Sequence, residues 1–131
     1  MTTRTLALVL GLALLAVPAA AAAAEREAAT FTGTYDWKQG GSDELSAEFT
    51  PDGPDRWKVT FRFRFDGKER TWKGTAEGSL NDGTKVTGTA RNKKKNFEWK
   101  ATVEAGVMRG RHTEIFDGGR KFATGTFEVS R

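Results

Sequence analysis

The chain contains no cysteine and a single histidine among its 131 residues, and only three prolines. Without cysteine there are no disulfides, no structural thiolate metal site and no lipidated N-terminal cysteine, so stability has to come from packing. One histidine, His112, cannot form a multi-histidine metal set. No catalytic or cofactor motif is present, and no segment after residue 30 repeats its apolar residues at helical spacing. Charge of one sign is also missing: 21 Lys and Arg stand against 17 Asp and Glu. That balance is too even for a polycation wrapped on nucleic acid, so nucleic acid is not an expected partner.

What is present begins with a secretory signal. Arg4 precedes an almost unbroken apolar run from Leu6 to Val17, and Pro18 to Ala24 ends in small residues. The run is shorter than the roughly 20 residues of a transmembrane helix. Ala22 and Ala24 suit the small-x-small rule, which places cleavage after Ala24. Residues 1–24 are therefore expected to form a cleavable signal helix, and the mature protein to be secreted or periplasmic with no transmembrane anchor. About 107 residues remain, the size of one ordinary domain. Residues 25–30 are charged and Ala-rich and read as a flexible leader, with a single domain over 31–131.

The strongest pattern is Trp57 to Phe65. Trp57, Val59, Phe61, Phe63 and Phe65 share one phase, and Lys58, Thr60, Arg62 and Arg64 share the other. Period two places five large apolar groups on one face of a strand and a cationic row on its back. Seven turn signals divide the chain from Phe31 onward: 39–43, 51–55, 66–68, 81–83, 92–95, 105–106 and 117–120, rich in Gly, Asp, Asn and Pro. They bound eight alternating runs, which predict an all-β antiparallel up-and-down meander. Eight strands suffice to close a small β-barrel and remove both sheet edges; a two-layer β-sandwich is the alternative.

The inward phase is uneven. Gly74, Gly78, Gly88, Gly110 and Gly125 stand against the large groups of the third strand. Either aromatic rings fill the space above the glycines, or a pocket for a small apolar ligand lies between an aromatic and a glycine wall. Thr32-Gly33-Thr34-Tyr35, with Thr-Gly-Thr again at 87–89 and 124–126, is strand text that resembles the calycin and avidin-like up-and-down barrels. That resemblance implies architecture only; no ligand-contacting residue is carried across from it.

Two constellations are candidates for function. The two-residue turn at Ala105-Gly106 sets Trp99 opposite His112 and Phe97 opposite Glu114, and the turn at 117–120 sets Gly125 opposite His112. His112 and Glu114 then both point inward and need partners: each other, Tyr35, or a ligand. The candidate ligand site is His112, Glu114, Tyr35, Trp37 and Trp99. Val107 and Ile115 are apolar on the opposite phase of this strand, so a one-residue slip that turns His112 outward is the competing register. His112 and Glu114 also suit an acid/base pair, but no nucleophile accompanies them, and neither cofactor nor metal is expected.

The second constellation is Arg91, Lys93, Lys94 and Lys95, a basic run with no acidic residue before Glu98. It suits an anionic envelope polymer or anionic lipid. The row Arg56, Lys58, Arg62 and Arg64 looks different. If Thr50 pairs with Arg56, Glu48 falls beside Lys58 and Glu44 beside Arg62, while Glu77 reaches the same row, so it reads as a neutralised exterior. The expected function is an exported, non-enzymatic binding module; the alternative is a structural or interaction protein of the envelope acting through its basic turns. The exported chain is expected to begin at Glu25 when its mass is measured, and a membrane-retained chain that keeps residues 1–24 would contradict the assignment.

Overall fold

The computed structural model describes residues 27–131. The expected signal segment, residues 1–24, lies outside the described residues, as do Glu25 and Arg26. The strands are β1 (Ala29–Trp37), β2 (Ser42–Pro51), β3 (Arg56–Phe65), β4 (Lys68–Glu77), β5 (Thr84–Arg91), β6 (Asn96–Glu104), β7 (Val107–Ile115) and β8 (Lys121–Ser130). All neighbours are antiparallel, and β8 returns to β1 through rungs from Thr32↔Ser130 to Trp37↔Gly125, which closes the barrel. Closure excludes the sandwich. Strand β1 starts two residues before Phe31: Ala29 and Thr30, expected in the leader, pair with Phe49 and Glu48. No helix among the described residues is long and apolar enough to cross a membrane.

Alternation places the expected residues inside. The buried side chains include Phe31, Leu45, Phe49, Trp57, Phe97 and Trp99, and among the described residues no polar or charged residue is fully buried. An up-and-down meander has two ends, and they differ. The turns after β2, β4 and β6 share one end with the start of β1. There Phe31, Phe49, Val86, Val103, Met108 and Val129 are at most 1% exposed. Leu80, expected in a strand, instead folds from the 78–83 turn over this floor. The Trp57 indole donates to the Gly78 carbonyl at 2.8 Å and Arg131 donates to the Leu80 carbonyl at 2.9 Å. The Arg131 guanidinium lies 5.3 Å from the Phe31 ring centre, so this end is plugged.

The glycine positions are occupied space. A Cβ on Gly88 would stand 2.5 Å from Trp99 Cζ2, and one on Gly110 2.5 Å from Phe127 Cζ. At these two positions rings from neighbouring strands fill the gaps, the first of the two packings open to the sequence. Gly74 has another purpose. The β4–β5 ladder holds only Lys73↔Arg91, Ala76↔Gly88 and Glu77↔Thr87. Between those rungs Thr75 N–H donates to Thr89 Oγ1 at 3.2 Å, and the Thr89 carbonyl accepts the Trp99 indole N–H at 3.2 Å. That carbonyl oxygen sits where a Gly74 Cβ would be.

One register differs from expectation by two residues. Thr50 pairs with Lys58 and Pro51 with Trp57, because left-handed φ at Gly53 (118°) and Asp55 (50°) closes the turn in four residues and carries Pro51 into β2. Glu48 then faces Thr60, and its carboxylate meets Arg62 at 3.2 Å. The row is still partly neutralised, by a half-exposed pair worth about 0–1 kcal/mol.

Because a side chain at Gly74 must displace a backbone carbonyl, Gly74→Ala is expected to cost on the order of 2–3 kcal/mol or more in urea unfolding, against within about 0.5 kcal/mol for the exposed Thr71→Ala on the same strand. Equal midpoints for the two variants would refute the close approach.

Candidate functional site

The other end carries the turns after β1, β3, β5 and β7, and it is open. Here the apolar phases taper: Phe61 is buried, Phe63 is half-buried and Phe65 is exposed. A cup of about 90 Å3 descends from this mouth, and its floor is Trp99 with Phe61 and Phe127. Trp99 meets those two rings edge to face at 5.9 Å each. The walls include Trp37, Trp72, Phe97 and His112, with Ala90 the smallest group facing the space. Trp72 and Phe97 pack at 4.8 Å between ring centres, and Tyr35 and Phe63 at 5.5 Å. None of the interior glycines lines the cup: rings cover Gly88 and Gly110, and backbone carbonyls crowd Gly74, Gly78 and Gly125. The surface the cup presents is apolar throughout.

Four of the five expected ligand residues come together here: His112, Tyr35, Trp37 and Trp99. His112 points inward between Trp99 and Gly125, as expected, although the β7–β8 turn is one residue longer than expected and pairs Ile115 with Lys121. The irregularity foreseen in this strand is real but lies one step beyond it. His112 pairs with Gly125 and Thr113 with Ala123, leaving Thr124 as an extra residue in β8. The Thr124 carbonyl accepts the Lys38 N–H at 2.8 Å. Its hydroxyl donates to the His112 carbonyl at 3.0 Å, and its Oγ1 lies 2.6 Å from His112 Nδ1. That contact satisfies Nδ1 with the Thr124 hydroxyl.

His112 Nε2 and Trp37 Nε1 are buried without a hydrogen-bond partner among the described residues. Their rings touch edge to face, with centres 5.2 Å apart. Two polar ring nitrogens therefore lie behind the apolar surface, each at a cost of about 1–3 kcal/mol. Burial holds the His112 pKa below its ordinary 6.5, partly offset by the backbone at Asp36 and Thr126 and by the Asp36 charge. The Tyr35 hydroxyl donates to the Arg64 carbonyl; burial, then the Asp43 charge, raises its pKa.

Glu114 is the expected residue that the structure sets apart. It lies on the rung Phe97↔Glu114, but above the cup, where its carboxylate sits 3.9 Å from Lys95 Nζ. It does not line the cup. The acid/base pair is therefore divided: His112 takes Thr124 and Glu114 takes Lys95. The same contact corrects the basic run, which has an acidic neighbour on the adjoining strand β7 where none is near in sequence. Arg91 is exposed opposite Lys73, and Lys93 and Lys94 project from the turn with no ion pair among the described residues. No cluster of three His, Cys, Asp or Glu that could hold a metal ion occurs among the described residues.

Phe61, Phe63, Trp72, Ala90, Phe97 and Phe127 also line the cup. Their inward phase was readable; their height along the barrel was not. Comparison with protein-family models, curated proteins and solved structures gives no match, so the likeness to calycin and avidin-like barrels assigns no residue a role.

A histidine whose folded pKa lies below its unfolded value stabilises the fold fully above about pH 6.5 and loses that contribution as pH falls toward the folded pKa. Since His112 is the only histidine, its ring-proton NMR titration is expected to have a midpoint under 6.5, with unfolding free energy declining in step below that pH. A midpoint at or above 6.5 would mean a solvated ring.

Proposed function

We propose that the protein is a non-enzymatic binding module that seats an apolar group of its ligand in the aromatic cup, and that it acts as an exported protein. The observation that carries this reading is the contrast between the two ends of one barrel. A solid floor plugged by Leu80 and Arg131 lies below an open cup walled by Trp37, Trp72, Phe97 and His112. An exposed aromatic concavity loses solvent-facing apolar area when filled, at roughly 25 cal/mol per Å2. The volume limits the ligand. About 90 Å3 is below the roughly 300–1,000 Å3 of sites that enclose a whole drug-sized molecule. The cup therefore takes one ring or the end of a chain, and the remainder of the ligand stays at the mouth. The export signal in residues 1–24 supports the location.

Three tryptophans line the cup, so filling it reports itself in intrinsic fluorescence. N-phenyl-1-naphthylamine is expected to bind saturably and quench that emission. Ala90→Leu, which extends a side chain into the free space, is expected to weaken binding at least tenfold with no fall in melting temperature. His112→Ala alters the wall beside Trp37 and is expected to weaken it as well. Saturable binding that neither substitution changes would remove the cup as the site.

A further inference from the structure

The open end differs from the plugged end in charge as well as shape. Its four turns carry Lys38, Lys93, Lys94, Lys95 and Arg120 against Asp66 and Asp117, a formal balance of about +3 by residue count. The three turns at the plugged end carry Asp52, Asp55 and Asp82 and no basic residue, about −3 by the same count. The large exposed apolar side chains divide the same way. Phe65 (41% exposed), Phe116 (40%) and Phe122 (51%) all stand at the open end. Phe122 shares a rung with Glu114, and Phe65 packs edge to face on Trp37 at 6.0 Å, so both flank the mouth of the cup.

These groups are held in place. Asn92 Oδ1 accepts the backbone N–H groups of Lys94 and Lys95, each at 2.8 Å, which sets the lysine turn. In the β7–β8 turn, Phe116 N–H donates to the Arg120 carbonyl at 2.8 Å and Gly119 N–H to the Phe116 carbonyl at 3.0 Å. The Phe116 ring then stands edge to face with Phe122, centres 5.0 Å apart. Exposed aromatics among lysines on one end, with the opposite charge at the far end, match a surface that is anionic at the level of the lysines and apolar just beneath. That is the layering of a bilayer leaflet with anionic headgroups.

We infer that the open end of the barrel docks on an anionic lipid bilayer, with Lys93 and Lys94 at the headgroups and Phe65, Phe116 and Phe122 inserted into the acyl boundary. A soluble anionic polymer accounts for the lysines but gives the phenylalanines nothing to enter. The opposed charges of the two ends orient the barrel before contact, mouth first. This docking rests on the rim and does not require the cup to be filled, although it turns the cup toward the leaflet.

Co-sedimentation of the mature chain with phosphatidylcholine vesicles, and with the same vesicles carrying phosphatidylglycerol, tests it. Binding is expected only to the anionic vesicles and is expected to weaken with salt. Lys93→Gln with Lys94→Gln is expected to lower the partition roughly fivefold per charge removed. Phe116→Ser with Phe122→Ser is expected to lower it at least tenfold at unchanged net charge. Asp52→Asn with Asp55→Asn, at the plugged end, is expected to leave it within twofold. Near-UV circular dichroism checks that each variant keeps its packing. The proposal is overturned if the wild type ignores anionic vesicles or binds neutral ones equally. It is also overturned if the phenylalanine variant binds as the wild type does, the result a soluble polyanion partner predicts, or if the plugged-end variant gains as much as the lysine variant loses. Ala90→Leu, which fills the cup, is expected to dock normally; if the wild type docks and yet binds no probe, the ligand reading alone fails.

Discussion

The barrel depends on Trp99. Its indole N–H reaches the Thr89 carbonyl, in the stretch where the β4–β5 ladder lapses, and Gly74 leaves the room for that carbonyl. Its ring covers Gly88 on one side and stands beside His112 on the other. Phe49, Phe61 and Phe127 meet it edge to face, with centres within about 6 Å, each such pair worth roughly 0.5–1.5 kcal/mol beyond area. One side chain thus satisfies the carbonyl that the missing rungs leave, fills the gap above a glycine, and divides the interior. Below it the core is solid; above it the cup begins.

That division makes the molecule polar along its axis. At the lower end, small and β-branched residues pack with Phe31 and Phe49, and Arg131 spans the plug, so the space is used for stability. At the upper end, rings of similar size face one another and cannot interdigitate completely, so a space stays open beneath Phe65 and Phe122. The cost is visible in two buried polar atoms without partners, Trp37 Nε1 and His112 Nε2, both at that end. Stability is thus concentrated at one end, and polar satisfaction is imperfect at the other.

Much of this was legible in the residues, and unevenly so. The β6–β7 register follows from a two-residue turn, which aligns Trp99 with His112. The β7–β8 turn pairs Ile115 with Lys121, one residue off the expected register, and only the Thr124 bulge restores the His112–Gly125 rung. The β2–β3 register does not follow, because Pro51 reads as a turn residue yet ends a strand, where a missing N–H costs nothing. Thr124 carried no signal at all: a bulge residue resembles any other strand threonine until the Lys38 N–H and the His112 ring arrive to hold it. Glu114 shared the inward phase with His112, but at the end of a strand that phase leads to the mouth, within reach of Lys95.

The sequence by itself determined the number of strands, their order and the face each side chain takes, because period-two alternation and turn chemistry are local properties of the backbone. Only the tertiary structure decided closure of the sheet, the filling of the glycine positions, the lapse in the β4–β5 ladder, and the height at which the core stops and the cup starts. Those depend on which rings from other strands meet at a given level of the barrel. Alternation records a side, and height along the axis arises from contacts between strands.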